Sequence, residues 1–316
     1  MQLRRRPIDW LLGLIEAGAV LTAVFSVATV FDRLHQYLEL FSHFRLQYFA
    51  AALVALVALA VGRRRRMAVV MLAVALLNAA YILPWYGNVA RAGSPATLTL
   101  LHSNILAGNR DVTRLLAHIE REAPDLVFVQ ELTPEHVGQL ESLSTRLPYR
   151  LLAPRDDAWG VGAWSRYPFV AAEVLETPPR GLPSLRLEID QGGTPLSIFS
   201  THPVTPIGNN GFADRNRQLA AIANAVNQGN GPTIVAGDLN TTPWGAHYRA
   251  FEAATGLRNA QAGHGIKPSW PLFLPIAMIP IDHVLLSSDL AAVEVRTLSS
   301  VGSDHLPLLV RIAPLL

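Results

Sequence analysis

The sequence predicts an α/β fold in which two packed β-sheets carry helices on their outer faces, preceded by three apolar helices. Three observations predict it. The first 87 residues hold three apolar blocks separated by arginines. From about residue 97 the pattern changes to short β-rich runs alternating with helical ones. Polar and acidic residues then recur at the ends of those runs, where an α/β enzyme collects its site.

The apolar blocks come first. Half of the 316 residues are hydrophobic, and the mean hydropathy of +0.27 is high for a water-soluble enzyme. Ile8 to Val30 is almost continuously apolar, Tyr48 to Val61 is so throughout, and between Met67 and Tyr86 only Asn78 is strongly polar. About 20 apolar residues cross a bilayer core, which predicts spans at about 8–30, 44–62 and 67–86. The second reaches that length only if Phe44 to Gln47 extend it, with Arg45 reaching back toward the headgroups. Because apolar blocks follow the first, it reads as a retained anchor rather than a cleaved signal. Glu16 and Asn78 are costly in lipid and predict an interhelical polar contact.

Arginines set the expected orientation. Arg4, Arg5 and Arg6 precede the first block, Arg63 to Arg66 separate the second from the third, and the intervening loop carries only Arg33 and Arg45. The positive-inside rule puts both clusters in the cytoplasm and everything after the third span on the outer, periplasmic or extracellular, face.

The pI of about 9.1 belongs to the anchor. Residues 1–91 hold ten arginines against four acids (Asp9, Glu16, Asp32 and Glu39), whereas the rest hold 16 basic against 20 acidic side chains. A domain that grips long polyanions usually shows a basic excess, and this one has none. With no cysteine, disulfides, thiolate metal sites and cysteine nucleophiles are excluded.

Residues 88–96, with Gly93, Ser94 and Pro95, read as a linker between an anchor at 1–87 and a domain at 97–316. Nine residues span at most roughly 30 Å, so the domain works close to the bilayer. Strands are expected at 97–105, 125–130, 160–165, 184–189, 196–201, 233–236, 281–286, 293–298 and 307–312, and helices at 110–121, 213–227 and 244–254. No internal repeat is visible.

The strand-end residues, in chain order, are Asn104 in LHSNIL, Gln130 and Glu131 after LVFV, His202 in FSTHP, Asp238 and Asn240 in VAGDLNTTPW, Asp282 and His283 in IPIDHVLL, and Asp304 and His305 in VGSDHLPL. Each has a bland reading alone: Glu131 caps a helix, Asp238 bends a strand into a turn, Asp304 is a loop acid. Taken together over residues 97–311, this order resembles the endonuclease/exonuclease/phosphatase superfamily, whose members include deoxyribonucleases, abasic-site endonucleases, inositol-phosphate phosphatases and neutral sphingomyelinases. The Gly-Asp-Leu-Asn and Ser-Asp-His blocks are the most specific parts. Three spans before such a domain also look like its membrane-bound bacterial members.

The resemblance implies a four-layer α/β sandwich, two packed mixed sheets flanked by helices, and metal-dependent phosphoester hydrolysis by direct attack of water. It implies Glu131 and Asp304 as ligands of Mg²⁺ or Mn²⁺, with Asn104 completing the shell. It casts Asp238 as the group that orients or deprotonates the water, Asn240 as a holder of water or phosphoryl oxygen, His202 and His305 as donors to the phosphate, and Asp282 as the acid behind His305. Physical chemistry agrees: hydrolysing a phosphoester needs an aimed water and neutralised phosphoryl oxygens, and carboxylate and amide oxygens suit a hard cation. For His202 no acid falls in a matching motif, although Asp156 and Asp157 lie in a suitable loop.

Alternation along the strand turns His283 away from Asp282 into a structural position, and puts His102 on the face of Asn104 with its role open. Arg166 in WSRYPF reads as either packing or a phosphate contact. Between Trp270 and Ile281 the chain carries no charge; it either fills space under a sheet or forms a lipid-facing lip beside the metal. The expected substrate is therefore a phosphoester presented at the membrane, with the bilayer as partner and no obligate protein partner. The competing readings are an outward-facing nuclease and a catalytically inactive membrane sensor.

Overall fold

The computed structural model describes residues 7–87, 97–190, 193–208 and 210–315. Arg4, Arg5, Arg6 and the linker expected at 88–96 lie outside them. The chain divides into two compact units, one built on the N-terminal helices and one on the strands.

The helical unit contains α1 (Pro7–Ala28), α2 (Gln36–Ser42), α3 (Arg45–Val61) and α4 (Arg65–Ile82). Two helices, Ile8–Phe31 and Arg65–Tyr86, are long and apolar enough to cross a membrane. The middle segment differs from the expected straight span. Its helix α3 has 17 residues and meets α2 at a bend of 61°, so a third crossing exists only if the bent pair counts as one.

Arg45 does not reach outward. It is 1% exposed, donates to the Ser26 carbonyl at 3.3 Å and Asn78 Oδ1 at 3.4 Å, and lies 3.9 Å over the Tyr81 ring. A buried guanidinium bonded to a carbonyl and an amide oxygen and stacked on a π-face is held among the helices rather than at the headgroups. The expected polar contact between helices is made by Asn78 Nδ2 on Ser26 Oγ (3.0 Å), whereas Glu16 pairs at 3.7 Å with Arg64 in the turn before α4. Small residues Ala19, Ala52, Ala55, Ala68 and Ala75 let the helices pack closely.

The second unit holds β1 (Leu98–Asn104), β2 (Leu126–Gln130), β3 (Tyr149–Ala153), β4 (Val161–Ser165), β5 (Phe169–Thr177), β6 (Leu182–Asp190), β7 (Pro195–Thr201), β8 (Thr233–Asp238), β9 (Arg258–Asn259), β10 (Asp282–Leu286), β11 (Leu290–Thr297) and β12 (Leu308–Pro314). They form two six-stranded sheets, ordered β11-β12-β1-β2-β4-β3 and β5-β6-β7-β8-β10-β9. In each, one central pair is parallel, β1 with β2 and β7 with β8, and every other neighbour is antiparallel. The two sheets therefore share one pairing scheme that the sequence does not show as a repeat.

Alternation sorts side chains between the faces. Leu100, Phe128, Ile198, Ile234 and Val284 meet between the sheets in the central core. Leu101, Val127 and Leu309 turn outward under α5 (Thr113–Glu122), with its Leu115 and Ile119, and α6 (Pro134–Gln139), with its Val137. Phe199, Val235 and Leu285 turn outward under α7 (Gly211–Asn227) and α8 (Ala246–Thr255). The result is a four-layer sandwich of two mixed sheets flanked by helices.

In α8, Glu252 Oε1 accepts from the Asn259 amide (3.1 Å) and the Tyr248 hydroxyl (3.2 Å). Burial pushes its pKa from 4.5 up to about 7. A carboxyl whose folded pKa lies above its unfolded one stabilises the fold while protonated, so this contribution is full below about pH 4.5 and is lost as pH rises through about 7. Glu252→Gln keeps the acceptor and removes the charge. It is expected to flatten the stability profile over that window and to raise stability at pH 8 by roughly 1 kcal/mol, read from unfolding of the detergent-solubilised chain. A profile identical to the wild type would contradict the assignment.

Candidate active site

The two central parallel pairs end at one edge of the sandwich, and the antiparallel strands begin there. Asn104 is register partner of Gln130 on the first sheet, and Asp282 of Asp238 on the second. Asp304 and His305 enter just before β12, which runs antiparallel to β1. Topology alone thus brings six separate segments to one edge.

Gln130 joins the sheets across that edge. Its Nε2 donates to the Thr201 carbonyl at 2.6 Å, and its Oε1 accepts the Asp238 amide at 2.8 Å. The approach is close: a Cβ on Gly237 would stand 2.0 Å from the Thr201 oxygen. Only glycine fits before Asp238, which gives the Gly-Asp-Leu-Asn block a steric cause.

Asp238 is the hub. Its Oδ1 accepts the Asn240 amide (2.9 Å) and its Oδ2 accepts Asn104 Nδ2 (3.3 Å). His202 Nε2 and His305 Nε2 stand 3.5 and 3.7 Å from the same Oδ2. Asn240 sits in the left-handed region at φ 51°, held by Nδ2 on the Pro203 carbonyl (2.9 Å) and by Arg215, fully buried, donating to its carbonyl (3.0 Å). From the same helix α7, Gln218 accepts the Val204 amide at 2.9 Å. Helix α7 therefore fixes both turns that carry His202 and Asn240.

Glu131 also takes a left-handed φ, 60°, a strained conformation for a side-chain-bearing residue that needs firm surroundings to persist. Its Oε1 accepts Asn104 Nδ2 (3.0 Å) and its Oε2 the Ala107 amide (2.8 Å). One amide nitrogen of Asn104 thus bridges the carboxylates of Glu131 and Asp238. Asn104 Oδ1 accepts the Leu106 amide at 3.0 Å.

Asp282 is shared by two imidazoles. His102 Nε2 donates to Oδ1 at 2.9 Å and His305 Nδ1 to Oδ2 at 2.8 Å. Burial raises the Asp282 pKa, but the His305 charge and the two histidine hydrogen bonds outweigh it and hold the acid well below the usual carboxylate range. Burial lowers the His305 pKa, and Asp282 and Asp238 override it to push the imidazole up to about 9.

Asp238, Asp282 and His305 place one ligand atom each within 4.8 Å of one another. Asp282 has given both oxygens to imidazole N–H groups, one of them that of His305, so this trio has the chemistry of a proton-holding network more than of a metal nest. Glu131 and Asp304 differ. Both are part-exposed, neither forms an ion pair with Lys or Arg among the described residues, and each is held by neutral donors, Asp304 Oδ2 by the Trp270 indole N–H at 2.8 Å. Carboxylate oxygens oriented but not neutralised fit a hard divalent cation.

His202 has no acid behind it among the described residues. Asp157 pairs with Arg155 at 2.7 Å and caps the Trp159 amide, and Asp156 is exposed. His202 Nδ1 is buried without a hydrogen-bond partner, and the Trp159 ring lies 5.0 Å from the imidazole. His283 points to the other face, bonded to Asn259 (2.9 Å) and the Thr241 carbonyl (2.8 Å), and burial lowers its pKa to about 4. Arg166 pairs with Asp125 at 3.1 Å, a packing role. His102, Gln130, Arg215 and Trp270 are the supporting residues that sequence reasoning left unassigned. Strand parity signalled His102 and strand-end position signalled Gln130, while Arg215 and Trp270 carried no signal in advance.

The model of the Endonuclease/Exonuclease/phosphatase family matches residues 101–305, well over half of the chain. The protein belongs to that family and is accordingly an enzyme of the metal-dependent phosphoester hydrolase class. No curated protein matches it in sequence. Among solved structures it is similar to TDP2 of D. rerio complexed with a single-strand DNA product, at 18% identity and a TM-score of 0.57, covering 68% of this chain and 98% of that one. It is also similar to an endonuclease/exonuclease/phosphatase from Beutenbergia cavernae (20%, 0.57, covering 69% and 72%) and to sphingomyelinase C from Streptomyces griseocarneus (20%, 0.50, covering 69% and 99%). At such identities these likenesses carry the fold alone.

The shared acid makes a measurable demand. Histidine NMR of the chain in EDTA is expected to find His305 protonated at pH 7.5, and Asp282→Asn to lower its pKa by more than about one unit. A His305 that is neutral at pH 7 in the wild type would contradict the geometry.

Proposed function

We propose that the chain is a membrane-anchored phosphoester hydrolase that works by direct in-line attack of water, and that its substrate is a phosphoester presented at a membrane, a phospholipid headgroup or a lipid-linked phosphate. The observation that carries the hydrolytic reading is the convergence of Asn104, Asn240, His202 and His305 on the single carboxylate of Asp238.

Glu131 and Asp304 would hold a divalent cation, Mg²⁺ or Mn²⁺, with Asn104 adjusting the shell. Such an ion, when bound, supplies charge neutralisation at the phosphoryl oxygens. Asp238 Oδ2 accepts the proton of the attacking water as the new P–O bond forms and the bond to the leaving oxygen breaks opposite it, that oxygen keeping the bonding pair and taking up a proton from solvent water. Asn240, fixed by Pro203 and Arg215, steers water or phosphoryl oxygen. His305, kept charged and oriented by Asp282, donates from Nε2 to the phosphoryl group. His202 donates from the other side of Asp238. No covalent enzyme intermediate is part of this scheme.

The membrane reading rests on three supports. Helices able to cross a bilayer precede the domain by a short tether, the domain has no basic excess, and Phe273 and Ile276 in the uncharged loop are exposed. With the bent α2–α3 pair crossing as one span, the arginine pattern favours the outer face for the domain.

The test is a hydrolysis screen of phospholipids, lipid phosphates, nucleic acids and soluble phosphoesters with Mg²⁺ and Mn²⁺, using Asp238→Ala as blank. The reading expects turnover of a lipid phosphoester, a loss of about 10³-fold or more in Asp238→Ala, and weak dependence on salt. Rapid Mg²⁺-dependent DNA cleavage that weakens steeply with salt, with every lipid untouched, would establish the nuclease reading instead. Full cellular function in both Asp238→Ala and Glu131→Ala would leave the sensor.

A further inference from the structure

The uncharged segment between Trp270 and Ile281 does not fill space under a sheet. It forms a loop closed at its root by an antiparallel bridge between Trp270 and Ile279, with the Ser269 amide donating to the Ile279 carbonyl at 3.1 Å. Its outer part presents Phe273, Leu274 and Ile276, which are 75, 47 and 80% exposed. The loop that follows His202 exposes Ile207 at 62%. Both loops leave the same edge of the sandwich, since β7 ends and β10 begins there. Among the described residues of the strand unit, three of the four most exposed large apolar side chains, Ile276, Phe273 and Ile207, therefore lie at the site end.

Isolated exposed apolar residues are ordinary, whereas a cluster of them on loops beside a site marks a contact surface. Helices able to enter a bilayer precede the domain, and the tether after them reaches at most roughly 30 Å. The apolar phase within that reach of the helices is the bilayer itself.

The root of the loop grips the site. The Trp270 indole N–H donates to Asp304 Oδ2 at 2.8 Å, the Leu272 amide donates to the Asp304 carbonyl at 2.9 Å, and the Trp270 ring lies 6.2 Å from that of His305. Two hydrogen bonds thus tie the orientation of one expected cation ligand to the conformation of the loop.

We infer that the Trp270–Ile279 loop inserts into a phospholipid bilayer through Phe273 and Ile276, and that Trp270 is a positioning residue through which the seated loop sets Asp304 for cation binding. The cation half rests on the reading of Asp304 given above. The insertion half rests on the exposed loop together with the apolar helices that precede the domain.

The absence of cysteine makes the test direct. The full chain carrying Phe273→Cys, labelled with an environment-sensitive fluorophore and reconstituted in phosphatidylcholine–phosphatidylglycerol vesicles, is expected to show blue-shifted emission quenched by doxyl lipids. The same label at Ser288→Cys, beyond the far end of β10, is expected to show neither. Adding Ile276→Asp is expected to remove the shift. Trp270→Phe, which keeps a ring but loses the N–H, is expected to weaken Mn²⁺ binding about tenfold by calorimetry. Emission at position 273 indistinguishable from that at 288 would overturn insertion, and unchanged Mn²⁺ affinity in Trp270→Phe would overturn the link to Asp304. If the label inserts and no lipid phosphoester is turned over, the substrate reading fails while the insertion stands.

Discussion

Gln130 sits between the two sheets with its side-chain nitrogen on the Thr201 carbonyl and its oxygen on the Asp238 amide, and the rest of the site depends on that bridge. The core between the sheets is apolar and non-directional, so it leaves the sheets free to slide by fractions of an ångström. A buried amide with both ends satisfied does not, because shifting either sheet strands a donor or acceptor at a cost of roughly 1–3 kcal/mol. Gly237 makes the bridge possible by letting the β8 backbone come up to Thr201. Asp238 is thereby fixed by its own backbone relative to β2, whose next residue is Glu131.

Charge is distributed around that frame with a clear division. On one side a buried acid, Asp282, is compensated by two imidazoles and keeps one of them cationic. On the other, Glu131 and Asp304 are aimed by neutral amide and indole donors and, among the described residues, left without a lysine or arginine. Compensation inside the protein makes a positive hydrogen-bond donor; its absence makes a place for a cation. Asn104, with one amide nitrogen on Glu131 and Asp238, marks the boundary between the two.

Much of this was legible in the sequence because strand alternation is a strict rule. Parity predicted that His283 would leave the face of Asp282, and it packs against Asn259 and Thr241. The buried strands β1, β2, β4, β7, β8 and β10 announced themselves as apolar runs. Strand β5 did not, because FVAAEVLET lies on a sheet edge with most of its side chains in solvent and carries no period of two. Residues that act across long sequence separations were also silent: Arg215 reaches the Asn240 turn from the middle of a helix, and Trp270 reaches Asp304 from a loop. Arg45 followed no expectation from hydropathy, since its partners Ser26 and Asn78 lie on two other helices.

The account stands on oxygens of Glu131 and Asp304 being left for one hard cation while Asp282 is already taken. Anomalous diffraction from crystals soaked in Mn²⁺ tests this most directly. The account predicts a peak within coordination distance of Glu131 and of Asp304. A peak seated between Asp238 and Asp282, with His305 turned to ligate it, would contradict it.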